Sequence, residues 1–287
     1  MAESTIEIKN SYAAVQDHTR VYKEFTYVYP VISRRSHGLS IGINLNPDKV
    51  CNFDCLYCEV DRKIPGKVSR LDLNQMRDEL VAMIRFACDG GLAMEPKFDE
   101  LPPYISRNIK DIAFSGDGEP TMVPNFEECV QMVADVKKAE GLERTKIRLI
   151  TDAAGLDTGS VRRGLAIMDA NNGEIWAKLD AGSEEYYHTV NRTNVRFDRV
   201  LNNLLATAQV RSIVIQSLFL KLNDQPMTAA ELQAYSERLS LIVREGGKIH
   251  EVHLYTIARP TPVDFATRLS KEELESMAET VRKNTGL

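Results

Sequence analysis

Six short stretches rich in β-branched and other apolar residues recur along the chain, at 39–45, 112–114, 146–150, 174–179, 212–220 and 249–257. From the second onward they begin 28 to 38 residues apart. A strand, a crossover helix and the next strand together need about 30 residues. The intervening segments carry helical apolar spacing: Leu80, Met83, Ile84 and Ala87 on one face, then Phe126, Val130, Val133 and Val136, then Leu201, Leu204 and Leu205. Thr228 with Glu231, and Ser270 with Glu273, have capping-box spacing and mark two helix starts. Strands alternating with helices predict an α/β fold with a parallel sheet and helices packed outside it. A closed eight-stranded barrel needs two more units than the chain has room for. The expected fold is therefore a partial (β/α)6 TIM-type barrel of parallel strands spanning 39–287, the C-terminal helix included, with residues 1–38 as an N-terminal cap. Residues 89–110, with Gly90-Gly91 and Pro102-Pro103, read as an insertion. A doubly wound sheet is the weaker alternative, because no Gly-rich nucleotide turn follows the first strand.

The chain has 287 residues, 43% of them hydrophobic and 27% charged, an ordinary balance for a packed domain. Lys plus Arg number 36 against 41 Asp plus Glu, a net charge of −5. General nucleic-acid binders carry a basic excess instead. No apolar run approaches the roughly 18 residues of a membrane span. The opening Met1-Ala2-Glu3-Ser4-Thr5 lacks the basic and apolar segments of a secretory signal, so a cytoplasmic protein without membrane association is expected. Five cysteines make a poor disulfide set.

Three of those cysteines lie in Cys51-Asn52-Phe53-Asp54-Cys55-Leu56-Tyr57-Cys58, between the first strand and a helix beginning near Leu71. In a reducing compartment such clustering points to metal before disulfides. Structural zinc usually takes four protein ligands in two pairs, and no second pair is present, although a distant His completing a zinc site stays open. A cubane iron–sulfur cluster can be held by three cysteines with one iron left for a ligand, while four-cysteine ligation is the commoner case. Cys88 and Cys129 sit on or beside apolar helix faces and read as small hydrophobes.

Chemistry in such a sheet belongs at the C-terminal strand ends. The second strand ends in Ser115-Gly116-Asp117-Gly118-Glu119, a turn with exposed backbone polar groups and a carboxylate that suits an ammonium ligand; an ordinary Gly-rich turn is the bland alternative. The third ends Thr151-Asp152-Ala153-Ala154-Gly155. On the fourth, parity puts Ile175, Ala177 and Leu179 on one face and Trp176, Lys178 and Asp180 on the other, with Lys178 and Asp180 facing the interior as a ligand site or as a mutual salt bridge. Gln216 on the fifth strand is an inward contact or a satisfied polar residue. On the sixth, His250 and His253 point to opposite faces and form no metal pair, while Glu251, His253 and Tyr255 share a face.

The spacing Cys-x3-Cys-x2-Cys, with Tyr57 before the third cysteine, resembles the signature of the radical S-adenosylmethionine superfamily. The resemblance implies that Cys51, Cys55 and Cys58 ligate a [4Fe-4S] cluster and that S-adenosylmethionine chelates its fourth iron. It places Tyr57 near the adenine and the Ser115–Glu119 turn at the methionine amino group. It makes Asp152 a candidate contact, Asp180 a ribose contact, and Lys178 a partner of the methionine carboxylate or the substrate, with Tyr255 in the functional end of the sixth strand. The implied chemistry is reductive cleavage of the cofactor to methionine and a 5′-deoxyadenosyl radical that abstracts hydrogen from a substrate. A reducing partner of flavodoxin or ferredoxin type is implied as well. The entry Tyr29-Pro30-Val31-Ile32-Ser33-Arg34-Arg35-Ser36-His37-Gly38-Leu39-Ser40-Ile41-Gly42 and the ending through Tyr255-Thr256-Ile257-Ala258-Arg259-Pro260 resemble a wyosine-synthase-related subgroup. True wyosine synthases carry a second cysteine set, and no cysteine precedes Cys51. A small molecule or peptide is therefore expected as substrate in preference to nucleic acid. The basic stretch Arg62-Lys63-Ile64-Pro65-Gly66-Lys67 is expected to steer an anion or an acidic electron donor. The alternatives are transfer-RNA modification of wyosine type, a cluster-binding protein without turnover, and a zinc-stabilised nucleic-acid module.

Overall fold

The computed structural model describes residues 8, 12–17, 19–20, 22–66, 70–259 and 261–287. Lys67 and Pro260, both named above, and residues 1–7 of the expected cap lie outside these. The chain forms two compact units, Met1–Asp48 with Lys67–Leu149 and Arg163–Gly173, and Lys49–Gly66 with Ile150–Arg162 and Glu174–Leu287.

In the first unit a short helix α1 (Ala13–Gln16) precedes strands β1 (Val28–Ser33) and β2 (Gly38–Ile43). Helix α2 (Leu73–Cys88), helix α3 (Pro103–Arg107) and strand β3 (Ile109–Phe114) follow. Helix α4 (Phe126–Ala139) and strand β4 (Lys146–Thr151) come next. β2 pairs with β3, and β3 with β4, in parallel. Every residue of β2 is buried, as a parallel strand covered on both faces requires. Asp72 starts α2 by accepting hydrogen bonds from the amides of Asn74 and Gln75. Below that cap Met76, Leu80, Met83, Ile84 and Ala87 are all buried, the stripe that the spacing predicted. Each large side chain on such a stripe contributes about 1.5–3 kcal/mol by leaving water. The cap region contains a strand that apolar spacing did not single out: β1 runs antiparallel to β2 through six residue pairs.

Helix α5 (Gly159–Ala170) leads to the strands and helices of the second unit: β5 (Gly173–Lys178), α6 (Glu184–Asn191), α7 (Phe197–Val210) and β6 (Ile213–Leu218). β7 (Lys221–Leu222), β8 (Gln225–Pro226), α8 (Ala229–Arg244), β9 (Ile249–Tyr255), β10 (Ala266–Thr267) and α9 (Lys271–Thr285) complete it. β5 pairs with β6, and β6 with β9, in parallel. β10, β7 and β8 form a separate three-stranded antiparallel sheet that the sequence did not announce. The main sheet runs in the order β1-β2-β3-β4-β5-β6-β9. Its two ends stay unpaired with each other, so it is open, and its parallel strands meet the expected α/β partial barrel.

Three local expectations need correction. The buried stripe of α7 is Phe197, Val200, Asn203, Leu204, Thr207 and Ala208, leaving Leu201 and Leu205 half-buried at its margin. Cys88 is exposed, whereas Cys129 is fully buried. Ser270 and Glu273 make the full reciprocal capping box at the start of α9. Thr228 caps α8 through the Glu231 amide, but the Glu231 carboxylate turns away to accept hydrogen bonds from the amides of Gly182 and Ser183 at 2.6 and 3.1 Å. No described helix is long and apolar enough to cross a membrane.

Candidate functional site

The cysteine loop follows β2 and belongs to the second unit, where helix α6 holds it. The last four carbonyls of a helix have no partner inside it. In α6 two of them are used: the Asp54 amide donates to the Asn191 carbonyl at 3.1 Å and the Leu56 amide to that of Val190 at 2.9 Å. Thr193 Oγ1 donates to the Asn52 carbonyl at 2.7 Å. Lys49 Nζ closes the far side on the carbonyls of Asp61 and Ile64 at 2.8 and 2.9 Å. Cys55 is buried, Cys51 and Cys58 are half-buried, and all three thiols are free.

Two side chains donate to these sulfurs. Arg62 Nη1 lies 3.0 Å from Cys58 Sγ, and Asn191 Nδ2 lies 3.4 Å from Cys55 Sγ. Burial pushes the Cys55 thiol up to about 11, against a downward pull from Lys178. Among the described residues no three Cys, His, Asp or Glu side chains converge as a single bound ion requires.

Tyr57, Lys178 and Asp180 meet beside Cys55. The Tyr57 hydroxyl donates to Asp180 Oδ2. Asn191 Nδ2 donates to the same oxygen at 2.9 Å, and the Leu218 amide donates to Oδ1 at 2.9 Å. Lys178 Nζ reaches the Tyr57 hydroxyl at 3.4 Å and stands 4.9 Å from its ring centre. Lys178 and Asp180 are thus linked through Tyr57. Burial works against the Lys178 ammonium, yet the Tyr255 phenol, the Cys55 thiol and Asp180 together hold its pKa above the usual lysine value. Burial, and then Asp180, raise that of Tyr57 well above the ordinary phenol.

Register aligns Lys178 with Gln216 and Gln216 with His253 across three neighbouring strands. Gln216 is buried and its Nε2 has no hydrogen-bond partner. His253 Nε2 pairs with Glu251 at 2.8 Å, and its ring meets Trp176 edge-on at 5.0 Å. Asp152, after β4, is buried and caps its own turn by accepting from the Ala154 amide at 2.9 Å.

The turn after β3 belongs to the first unit. Tyr29 Oη and Ser115 Oγ share a hydrogen bond at 3.0 Å. Asp117 accepts from Arg20 Nη1 at 3.0 Å and Asn44 Nδ2 at 2.7 Å, while its amide donates to Asn44 Oδ1 at 3.1 Å. Glu119 is buried, and its Oε1 accepts from the Thr121 amide at 3.0 Å and the Thr121 hydroxyl at 2.6 Å. Gly118 is half-buried between these two carboxylates. A Cβ at Gly116 would stand 2.3 Å from Asn44 Oδ1 and 2.8 Å from its Cα. Gly116→Ala is therefore expected to break the Asn44–Asp117 bond, read as faster hydrogen exchange at the Asp117 amide. Unchanged protection would count against this packing.

Sequence reasoning missed Asn191, which touches Cys55 and Asp180 and whose backbone carries the loop. Nothing local marks it, because its partners lie more than 130 residues earlier or just beyond a loop. Arg62 was visible as part of a basic stretch, but its sulfur contact was not.

No protein-family model matches the chain. It is 25% identical over 250 residues to a protein named GTPase Obg from Brachyspira hyodysenteriae, covering 86% of this chain and 32% of that protein. It is 27% identical over 179 residues to a UPF0026 protein of Methanocaldococcus jannaschii, covering 62% of this chain and 48% of the relative. The chain thus spans about a third to a half of the length of these relatives. Among solved structures, TYW1 with a lysine-pyruvate adduct bound superposes with a TM-score of 0.54 and 15% identity, over 98% of this chain and 80% of that one. Streptococcus suis SuiB bound to S-adenosylmethionine gives 0.54 and 12%, over 87% and 46%. These neighbours are radical S-adenosylmethionine enzymes. The fold they share with this chain is the partial barrel that the strand spacing and the cysteine signature pointed to.

Proposed function

We propose that the protein is a radical S-adenosylmethionine enzyme in which Cys51, Cys55 and Cys58 hold a [4Fe-4S] cluster. The observation that carries the reading is the arrangement of the loop: three free thiols, set by α6, with Arg62 and Asn191 already donating to two of the sulfurs. Donors aimed at sulfur suit thiolate ligands of a cluster. When bound, the cluster supplies one electron to the cofactor sulfonium, giving methionine and a 5′-deoxyadenosyl radical that takes a hydrogen atom from the substrate.

The chain's residues divide the remaining work. The Ser115–Glu119 turn offers backbone carbonyls and the Glu119 carboxylate to the methionine ammonium. The Asp117 side chain is spent on Arg20 and Asn44, so its contribution is its backbone. Asp180 uses three acceptor sites on Tyr57, Asn191 and Leu218, and a carboxylate has about four, which leaves one for a ribose hydroxyl. Gln216 Nε2 and the Asp152 region take further polar edges of the cofactor. Lys178 and Tyr255 face the reacting groups, Lys178 as a cation for a carboxylate. An acidic electron-donor protein and a small-molecule or peptide substrate complete the scheme.

Anaerobic protein with reductant and S-adenosylmethionine should produce 5′-deoxyadenosine and methionine, read by chromatography. A full cluster that yields neither under reductant would make the protein a binder without turnover. Arg62→Leu is expected to lower the midpoint potential of the cluster, since hydrogen bonds to sulfur favour the reduced state; an unshifted potential in a redox titration would remove that role. The resemblance of residues 29–42 favours wyosine-type chemistry as the second reading. A tricyclic base formed from modified-guanosine transfer RNA and pyruvate above a no-enzyme control would establish it. A nucleotide-hydrolysis reading has little support in the residues, because the sequence contains no G-x-x-x-x-G-K-[ST] string.

A further inference from the structure

A cleft of about 670 Å3 opens beside the cysteine loop, entirely within the second unit. Cys51 stands on its wall, and Arg62, Arg192, Arg196 and Arg199 line it with Asp54 as the one acidic residue of the lining. The chain as a whole is acidic, with a net charge of −5, so four arginines around one cleft are a local reversal of sign. Asp157 and Asp198 answer two of them from outside, Arg199 at 2.9 Å and Arg196 at 3.5 Å. Arg192 reaches Asp54 only at 4.0 Å. The Arg196 side chain is 81% exposed, and those of Arg192 and Arg199 41% and 49%.

The cleft touches the cysteine loop twice. Cys51 faces it directly, and Arg62 connects it to Cys58 through the 3.0 Å contact with sulfur. We infer that this cleft is the docking surface of an acidic one-electron carrier protein, through which the cluster is reduced. The inference rests on the cluster reading above. Electron transfer between proteins falls off steeply with distance, so a donor must seat where a ligand sulfur is close to the surface. Positive charge around that point raises the encounter rate of an acidic partner by about 10- to 1,000-fold and makes it salt-dependent. The step balances without a proton: the reduced carrier loses one electron and the oxidised cluster gains it.

The test uses the double variant Arg192→Asn, Arg196→Glu in the full chain. Arg192 has a positive φ of 47°, which Asn tolerates, and Arg196 projects into solvent. Reduced flavodoxin is one probe and photoreduced deazaflavin, a small molecule, is the other. At low salt the variant should be reduced by flavodoxin at least about tenfold more slowly than the parent, with the difference closing at high salt. Its iron content, its absorption spectrum and its rate with deazaflavin should be unchanged. Equal rates with flavodoxin, or equal slowing with both reductants, overturn the assignment. Tight, salt-sensitive retention of RNA by the parent, lost in the variant, would also overturn it by giving the cleft to phosphate. Titration calorimetry with oxidised flavodoxin tests the surface without electron flow. A parent that binds flavodoxin in the cleft but holds no iron would fail the cluster reading and leave the docking assignment standing.

Discussion

Replacing Cys51, Cys55 or Cys58 by Ala is expected to leave anaerobically reconstituted protein without the roughly four irons of a cubane. Cys129→Ala and Cys88→Ala should retain them. The contrast comes from placement. The three loop thiols share one backbone segment clamped by α6, and two of them already receive donors. Cys129 lies fully buried in α4, where burial pushes its thiol up to about 12, far from thiolate character at neutral pH. Cys88 ends α2 in the first unit, away from the segment that carries the other three in sequence and in fold. Iron analysis and the visible absorption band decide the matter. A full iron complement in the Cys55→Ala protein would remove the cluster assignment at its root.

Asp180→Ala should destabilise the second unit even before any cofactor is added. The change leaves the Tyr57 hydroxyl, the Asn191 amide and the Leu218 N–H buried without their shared acceptor. A hydrogen bond to a charged group is worth about 1.5–3 kcal/mol, and stranding buried partners of a charge costs about 3–5 kcal/mol in total. At about 2–4 °C per kcal/mol, a melting temperature roughly 6–12 °C lower is expected. Asp180→Asn keeps the shape and one carbonyl oxygen, so its loss should be smaller. A melting point within a degree of the parent for Asp180→Ala would show that this network contributes little. Cofactor affinity measured in Asp180→Asn then reads the ribose contact separately from the scaffold.

Strand positions were legible because a parallel strand covered on both faces is a short apolar run, and six such runs stand out from the polar loops. Helix starts at Asp72 and Ser270 were legible for the same local reason: side-chain caps act within three residues. β1 escaped because Pro30 and the alternating Tyr and Ser around it blur both periodicities. Leu201 and Leu205 misled because leucine on a helix margin looks like leucine in the core until the neighbouring elements are in place. Glu231 shows the limit of motif spacing. Its carboxylate found stronger donors on Gly182 and Ser183 than on its own helix, and those donors are some 50 residues away. At the site, the cysteines and the strand-end residues carried their own signals. Asn191 carried none, since its whole role is created by the loop it supports.

The clamp on the cysteine loop also has a temporal side. The three cysteines are synthesised early, but the carbonyls of Val190 and Asn191 that fix their backbone emerge more than 130 residues later. The start of α6 is tied in turn through Ser183 to Glu231, later still. A ribosome has therefore to deliver most of the polypeptide before the loop acquires its final form. Until then the thiols sit on an untemplated segment, open to oxidation and to the wrong metal. Acquisition of iron is in that sense a closing event of biosynthesis, timed by a helix that itself supplies no metal ligand.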